Sequence, residues 1–260
     1  MLGVFGIIAA LLSDEFLAEQ RAIGVYTWDE ALLASWEIVN NIVGRWVIIA
    51  FTAWVFASEY KHGTWKNLAT RRGRVTLIVN KFITVAVYVT VAFTTMSLIF
   101  FFGNWIMSDI VGTDYGLSTA GETMGDFLPD YATNVFLTLS GTLISAAFAA
   151  AAAMITKSVF ASVIVGIIFY MIEFVGILGI FGLIDLVFRV NLVPLYGYLP
   201  SYNLDQIGSR LFTGQPNNFN IGETFFEAPA LEISLLIVLA WAVGLVAVTA
   251  WLFRRQDITV

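Results

Sequence analysis

Apolar runs alternate with polar segments along the whole chain. A helix needs about 20 consecutive apolar residues to cross roughly 30 Å of hydrocarbon. Six stretches meet or approach that length: residues 1–18, 38–57, 82–107, 134–155, 159–180 and 230–253. The runs are continuous, whereas the strands of a membrane barrel alternate in polarity. The pattern therefore predicts an all-α integral membrane protein of six transmembrane helices. It predicts one domain over residues 1–260, without an extramembrane domain.

The first run is the shortest. Its apolar part, Met1–Leu12, covers only about 18 Å as a helix. It lacks the basic start and cleavage site of a signal peptide, so it reads as a span continuing to Ala18. An interfacial helix is the alternative.

The polar segments differ in sign. Asp14–Glu37 is acidic, with Arg21 its sole base, and reads as an outer loop. Ser108–Thr133 carries Asp109, Asp114, Glu122, Asp126 and Asp130 and no base, and its glycines predict an irregular loop. Phe181–Pro229 is broken by Pro194, Pro200 and Pro216. It is expected to form short helices dipping back into the outer leaflet, a partly helical re-entrant segment before the last span.

Base placement sets the orientation. Of thirteen Lys and Arg residues, all but Arg21, Arg45, Arg189 and Arg210 fall on segments assigned to one side, the cytoplasm. Of nineteen acids, only Glu59 and Asp257 fall there. Bases concentrate on cytoplasmic segments, so both termini are expected inside a cell membrane.

Composition narrows the chemistry. The chain is 59% hydrophobic and 12% charged, against about 25% charged in soluble domains. It has no cysteine and one histidine, His62. Disulfides, thiolate metal sites and cysteine nucleophiles are excluded. No GxxxxGK[ST] phosphate loop occurs. No catalytic residue, metal site, cofactor or nucleic-acid partner is assigned to the chain.

Some residues within the spans stand out. Arg45 lies near the outer end of the second span, as a snorkelling side chain or as part of a translocation path. Glu173 lies about two-thirds along the fifth span, where an ionised group costs about 2.5–3.5 kcal/mol on insertion scales. It reads either as a structural carboxyl or as a path residue. Gly141, Ser145, Ala149 and Ala153 recur every four residues, a spacing that lets helices approach closely in lipid.

The densest basic segment is Ser58–Lys81, SEYKHGTWKNLATRRGRVTLIVNK. Gly63 can turn the chain out of the second span. Thr64 can cap a short helix beginning at Trp65. Trp65 and Leu68 would share one face of that helix and could rest in a partner's groove. Glu59, the only acid here, could pair with Lys81 or Arg74. His62 reads as solvated or partner-facing.

Residues Ser58 to Lys66, with Arg74 and Lys81 after them, resemble the first cytoplasmic loop of ABC-2 type transporter permeases. That family carries E-[YF]-x-x-G-T-x-[KR], a leucine-rich stretch, Pro-x-Ser-Arg and then a lysine at the next span. Here the proline is absent, Gly73-Arg74 stands for Ser-Arg, and Asn67 and Ala69 interrupt the leucines. The resemblance implies a membrane subunit of an ABC exporter with a cytoplasmic coupling helix. Glu59, Tyr60, Gly63, Thr64, Trp65, Lys66, Leu68, Arg74 and Lys81 would couple it to a separate ATPase subunit. ATP and Mg would bind there, and a second permease copy would complete the assembly in the lipid bilayer. The alternatives are a non-transporting subunit that couples ATPase motion to an extracytoplasmic partner through Asp109–Asp130, or a proton-coupled carrier using Glu173.

Overall fold

A computed structural model describes residues 27–65, 73–112, 116, 124–221 and 224–256. Its main elements are α1 (Trp28–Asn40), α2 (Ile42–Lys61), α3 (Arg74–Val111), α4 (Met124–Thr156), α5 (Val159–Met171), a π-helical turn (Ile172–Gly176), α6 (Ile177–Phe188), a 3-10 turn (Val193–Tyr198), α7 (Pro200–Thr213) and α8 (Leu231–Arg255). One small antiparallel ribbon, β1 (Phe219–Ile221) with β2 (Thr224–Phe226), departs from the all-helical expectation.

Among the described residues, four helices are long and apolar enough to cross a membrane: α2, α3, residues Phe127–Thr156 of α4, and α8. A fifth candidate is a bent pair, Val159–Phe174 and Ile177–Phe188, angled by 69°. The expected span at residues 1–18 lies outside the described residues.

The helices run further than hydropathy predicts. α3 starts at Arg74 and ends at Val111, whereas the apolar run covers 82–107. α4 starts at Met124, so Ser108–Val111 and Met124–Thr133 of the loop expected over Ser108–Thr133 are helical instead. α1 occupies the second half of the segment read as an outer loop. The physical reason is common to all three. Backbone hydrogen bonding propagates through polar residues, so leaving hydrocarbon does not end a helix.

Hydroxyl and amide side chains in these helices bond to their own backbone. Thr84 donates to the Asn80 carbonyl, Thr90 to Ala86, Asn104 to Phe100 and Thr142 to Thr138. Such back-bonding satisfies polar groups where water is absent. Large apolar side chains on α3, including Ile83, Val87, Val91 and Phe102, are exposed, as a lipid-facing surface requires.

Contacts divide the chain into two units. One comprises residues 1–37 and 91–131. There Trp36 Nε1 donates to Tyr131 Oη at 3.1 Å, and Trp28 meets Phe127 edge-on at 4.8 Å. Ser97 bonds the Leu32 carbonyl. The second unit comprises residues 38–90 and 132–260 and holds the features described below. Its helix α2 starts where the Asn41 side chain caps Gly44 N–H at 2.8 Å. Ile49, Ala149 and Tyr170 join α2, α4 and α5 in one buried cluster. Ile144, Ile207 and Val238 join α4, α7 and α8 in another.

The small-residue repeat on α4 explains the first cluster. Ala149 and Ala153 are fully buried. A Cβ added at Gly166 on α5 would stand 3.2 Å from Ala149 Cα and 3.0 Å from Ile49 Cγ2. The missing side chain thus lets three helices meet closely.

Candidate functional site

Two features in the second unit carry the residues singled out by sequence. One is a clasp at the C-terminal end of α2. The other is a cavity among α2, α4 and α7.

The clasp begins where α2 stops. His62 ends the helix, and Gly63 turns the chain at φ +65, the left-handed region open to glycine. The turn brings Thr64 back, so that its hydroxyl bonds the Glu59 carboxylate. Lys81, two turns into α3, donates to Glu59 Oε1 at 2.8 Å and to the Val55 carbonyl at 2.7 Å. Its ammonium also lies 5.1 Å from the Trp65 ring and 5.6 Å from the Phe56 ring. Of the two expected partners for Glu59, Lys81 is the one found.

Arg74 serves a different group. Its guanidinium donates to the carbonyls of Arg254 and Gln256, each at 2.9 Å. These oxygens close α8, where unpaired carbonyls and the helix dipole both favour a cation. Tyr60 Oη donates to Gln256 Oε1 at 2.5 Å, and Gln256 Nε2 donates to the Met154 carbonyl at 2.5 Å. One glutamine side chain therefore ties α2 and α4 to the end of α8.

Trp65 sits inside this clasp. It is 2% exposed, with its ring 4.3 Å from Phe253 and 5.9 Å from Tyr60. A partner-facing indole was expected; the aromatic and cationic neighbours on α3 and α8 draw it inward instead. Lys66 and Leu68 lie outside the described residues, as does nearly all of the expected coupling helix. His62 is exposed and bonds the Ser58 carbonyl through Nδ1 at 2.9 Å.

The cavity has a volume of about 640 Å³, within the range typical of small-molecule sites. Both residues proposed from sequence for a path line it, Arg45 and Glu173. Arg45 is 7% exposed and donates from Nη2 to Asn40 Oδ1 at 2.8 Å. Gly141, read from sequence as a packing residue, lies directly beneath its guanidinium. A Cβ there would stand 2.8 Å from Nη2 and 2.9 Å from Nη1. Ser145, the next residue of the repeat, also lines the cavity and bonds the Gly141 carbonyl at 2.9 Å.

Glu173 belongs to the π-helical turn, a distortion that often marks a functional site. Its Oε1 accepts from Ser201 N at 2.9 Å, in the first turn of α7. A helix N-terminus is a favourable place for a carboxylate. Asp205, one turn further along α7, adds a second carboxylate to the wall and accepts from Asn217 at 3.2 Å.

Sequence reasoning missed Asn40, Ser201, Asp205, Met154, Phe253 and Gln256. Apart from Asn40, five residues before Arg45, each works through a contact between separate segments. The only sequence signal was indirect: a buried charge requires polar partners somewhere.

Several apolar helices long enough to cross a bilayer, with charged groups enclosed between them, define a multi-pass membrane protein. The model of the family described as ABC-2 family transporter protein matches residues 2–173. The chain belongs to that family, and it is a membrane transport component. No curated protein and no solved structure matches the chain. The family match includes the clasp residues of α2 and α3, Arg45, Gly141 and Glu173.

Proposed function

We propose that this chain is the permease subunit of an ATP-driven exporter. It works with a separate ATPase that binds ATP and Mg, and as a pair of permease copies in the cell membrane. Both termini and the clasp face the cytoplasm, in keeping with the clustering of bases at Lys61–Lys81, Lys157 and Arg254–Arg255.

The clasp carries this reading. A segment that receives force from a partner must be joined firmly to the helices it moves. Glu59 and Thr64 join the turn to α2, Lys81 joins it to α3, and Trp65 joins it to α8. Motion of residues following Trp65 would then reach three helices at once. Solute movement is favoured over a purely mechanical coupling role by the charged cavity between α2, α4 and α7.

The test is co-expression with candidate ABC ATPase subunits from the same genome, followed by purification into lipid discs. Copurification is expected. Glu59→Lys combined with Gly63→Pro should uncouple ATP hydrolysis or release the ATPase. A native chain that retains no ATPase would sink the proposal.

A further inference from the structure

The cavity holds its charges apart. Among the described residues the one ion pair is Lys81 with Glu59, so Arg45 and Glu173 share a cavity without pairing. A guanidinium offers several N–H donors in a planar fork, and Arg45 uses them on Asn40 alone among described side chains. A buried cation costs several kcal/mol unless partners satisfy it, and Glu173 acts on Arg45 only through space, without touching it. An arginine near a helix end would ordinarily extend its head to water. Arg45 instead lies flat in the space left by the missing side chain of Gly141, anchored by Asn40.

The opposite sign is supplied by α7 and the π-helical turn. Glu173 is fixed by Ser201 N–H, and Asp205 follows on the same helix. The wall also carries the apolar side chains of Leu137, Phe174, Leu204 and Phe212, beside the hydroxyls of Ser209 and Thr213. The volume of about 640 Å³ is many times the roughly 30 Å³ share of one water. A guest with one charge would satisfy one end and be repelled by the other.

We propose that the cavity binds a zwitterionic amphiphile, its phosphate or carboxylate on Arg45, its ammonium toward Glu173 and Asp205, and its apolar part against Leu204 and Phe212. This rests on the transport reading in making the guest a transported solute, but binding itself needs no ATPase. Arg45 can grip a phosphate or carboxylate bidentately. The ammonium adds a second charge-assisted contact, so each end discriminates against amphiphiles lacking its partner.

The test is thermal unfolding of the full chain in a neutral maltoside detergent, titrated with defined probes. Lysophosphatidylethanolamine should raise the midpoint with an apparent affinity about tenfold or more above dodecyl phosphate or dodecylamine. Arg45→Gln and Gly141→Ala should each weaken it about tenfold. Arg45→Lys, which keeps the charge without the fork, should fall between and serves if Arg45→Gln does not fold. Glycerophosphoethanolamine, the headgroup without a chain, separates sources. If it binds as well as the chain-bearing probe, the site takes soluble zwitterions and the charge pairing stands. Equal stabilisation by either singly charged amphiphile would overturn the proposal, as would undiminished binding to Arg45→Lys and Gly141→Ala. Absence of binding by any probe, with the ATPase still copurifying, would overturn the ligand assignment alone. Intact binding without an associated ATPase would overturn the exporter reading alone.

Discussion

Lys81 meets Glu59 at 2.8 Å across 22 positions of sequence, joining the start of α3 to the end of α2. The side chains are 17% and 22% exposed, so water screens the pair only in part. Such a contact exceeds a surface ion pair, whose median worth is about 0–1 kcal/mol. Breaking it leaves the surviving partner under-satisfied. Glu59→Gln and Lys81→Gln are each expected to lower stability by about 1–3 kcal/mol. The double variant should cost less than their sum, because it leaves no lone charge. Thermal unfolding of the four proteins in one detergent gives the coupling, and strict additivity would argue against the pair.

Gly141→Ala places a methyl against the Arg45 guanidinium. The guanidinium is the far end of a flexible chain, so it should shift while the helices keep their places. A cost of about 1–3 kcal/mol follows from the forced rearrangement. In an Arg45→Ala background the same substitution should be nearly neutral. A cost that persists there would place the strain in helix packing, as the small-residue repeat alone suggested.

Gly63 tests the turn. Among the described residues no atom lies within 4 Å of a Cβ built there, so the expected cost is the backbone penalty of φ +65. Gly63→Ala is expected to cost about 1–2 kcal/mol. Gly63→Asn should recover part of that, since asparagine enters the left-handed region more readily. Equal unfolding midpoints for Ala, Asn and Gly would show that this turn is not fixed by its φ.

Trp65→Ala removes an indole that is nearly fully buried between Tyr60 and Phe253. A loss of about 3–5 kcal/mol is expected in the isolated chain. A side chain used only by a partner would instead leave the isolated chain unaffected, so the midpoint without any ATPase separates the two roles.

Arg74→Ala should loosen the end of α8, where Arg254 and Gln256 lose their donor. Hydrogen exchange at Phe253–Gln256 is expected to quicken, while the middle of α8 stays protected. Unchanged exchange at those residues would count against the cap.

Hydropathy located the spans that the structure describes because apolar length is what a bilayer demands. It misplaced their ends, since Arg74 and Asp109 belong to α3 although neither is apolar. That Glu59 would pair with Lys81 or Arg74 was legible because it is the only acid in that segment; the choice of Lys81 needed the structure. The inward position of Trp65 was not, because it depends on Phe253, nearly two hundred residues away. Gly141 was seen as one member of a spacing pattern. Its place beneath Arg45 depends on how α2 and α4 meet, which spacing on one helix does not encode. Arg45 and Glu173 were recognisable as costly charges within apolar runs. That they border a common cavity needed the fold, and Asp205 entered the set only through α7.

The π-helical turn at Ile172–Gly176 also bears on the length of the protein. An i→i+5 turn holds one residue more than α-helical pitch accommodates, so it is equivalent to a single inserted residue within an ordinary helix. In a regular α-helix an added residue would turn everything after it by about 100°, and the wide turn takes up most of that rotation locally. Deleting one residue here would remove the bulge and leave Ile177–Phe188 facing nearly as it does now, while the carboxylate at 173 would lose its alignment with Ser201. A one-codon deletion in this turn should therefore be tolerated by the helix far better than one in the regular helix on either side, and its cost should fall on the Glu173 contact.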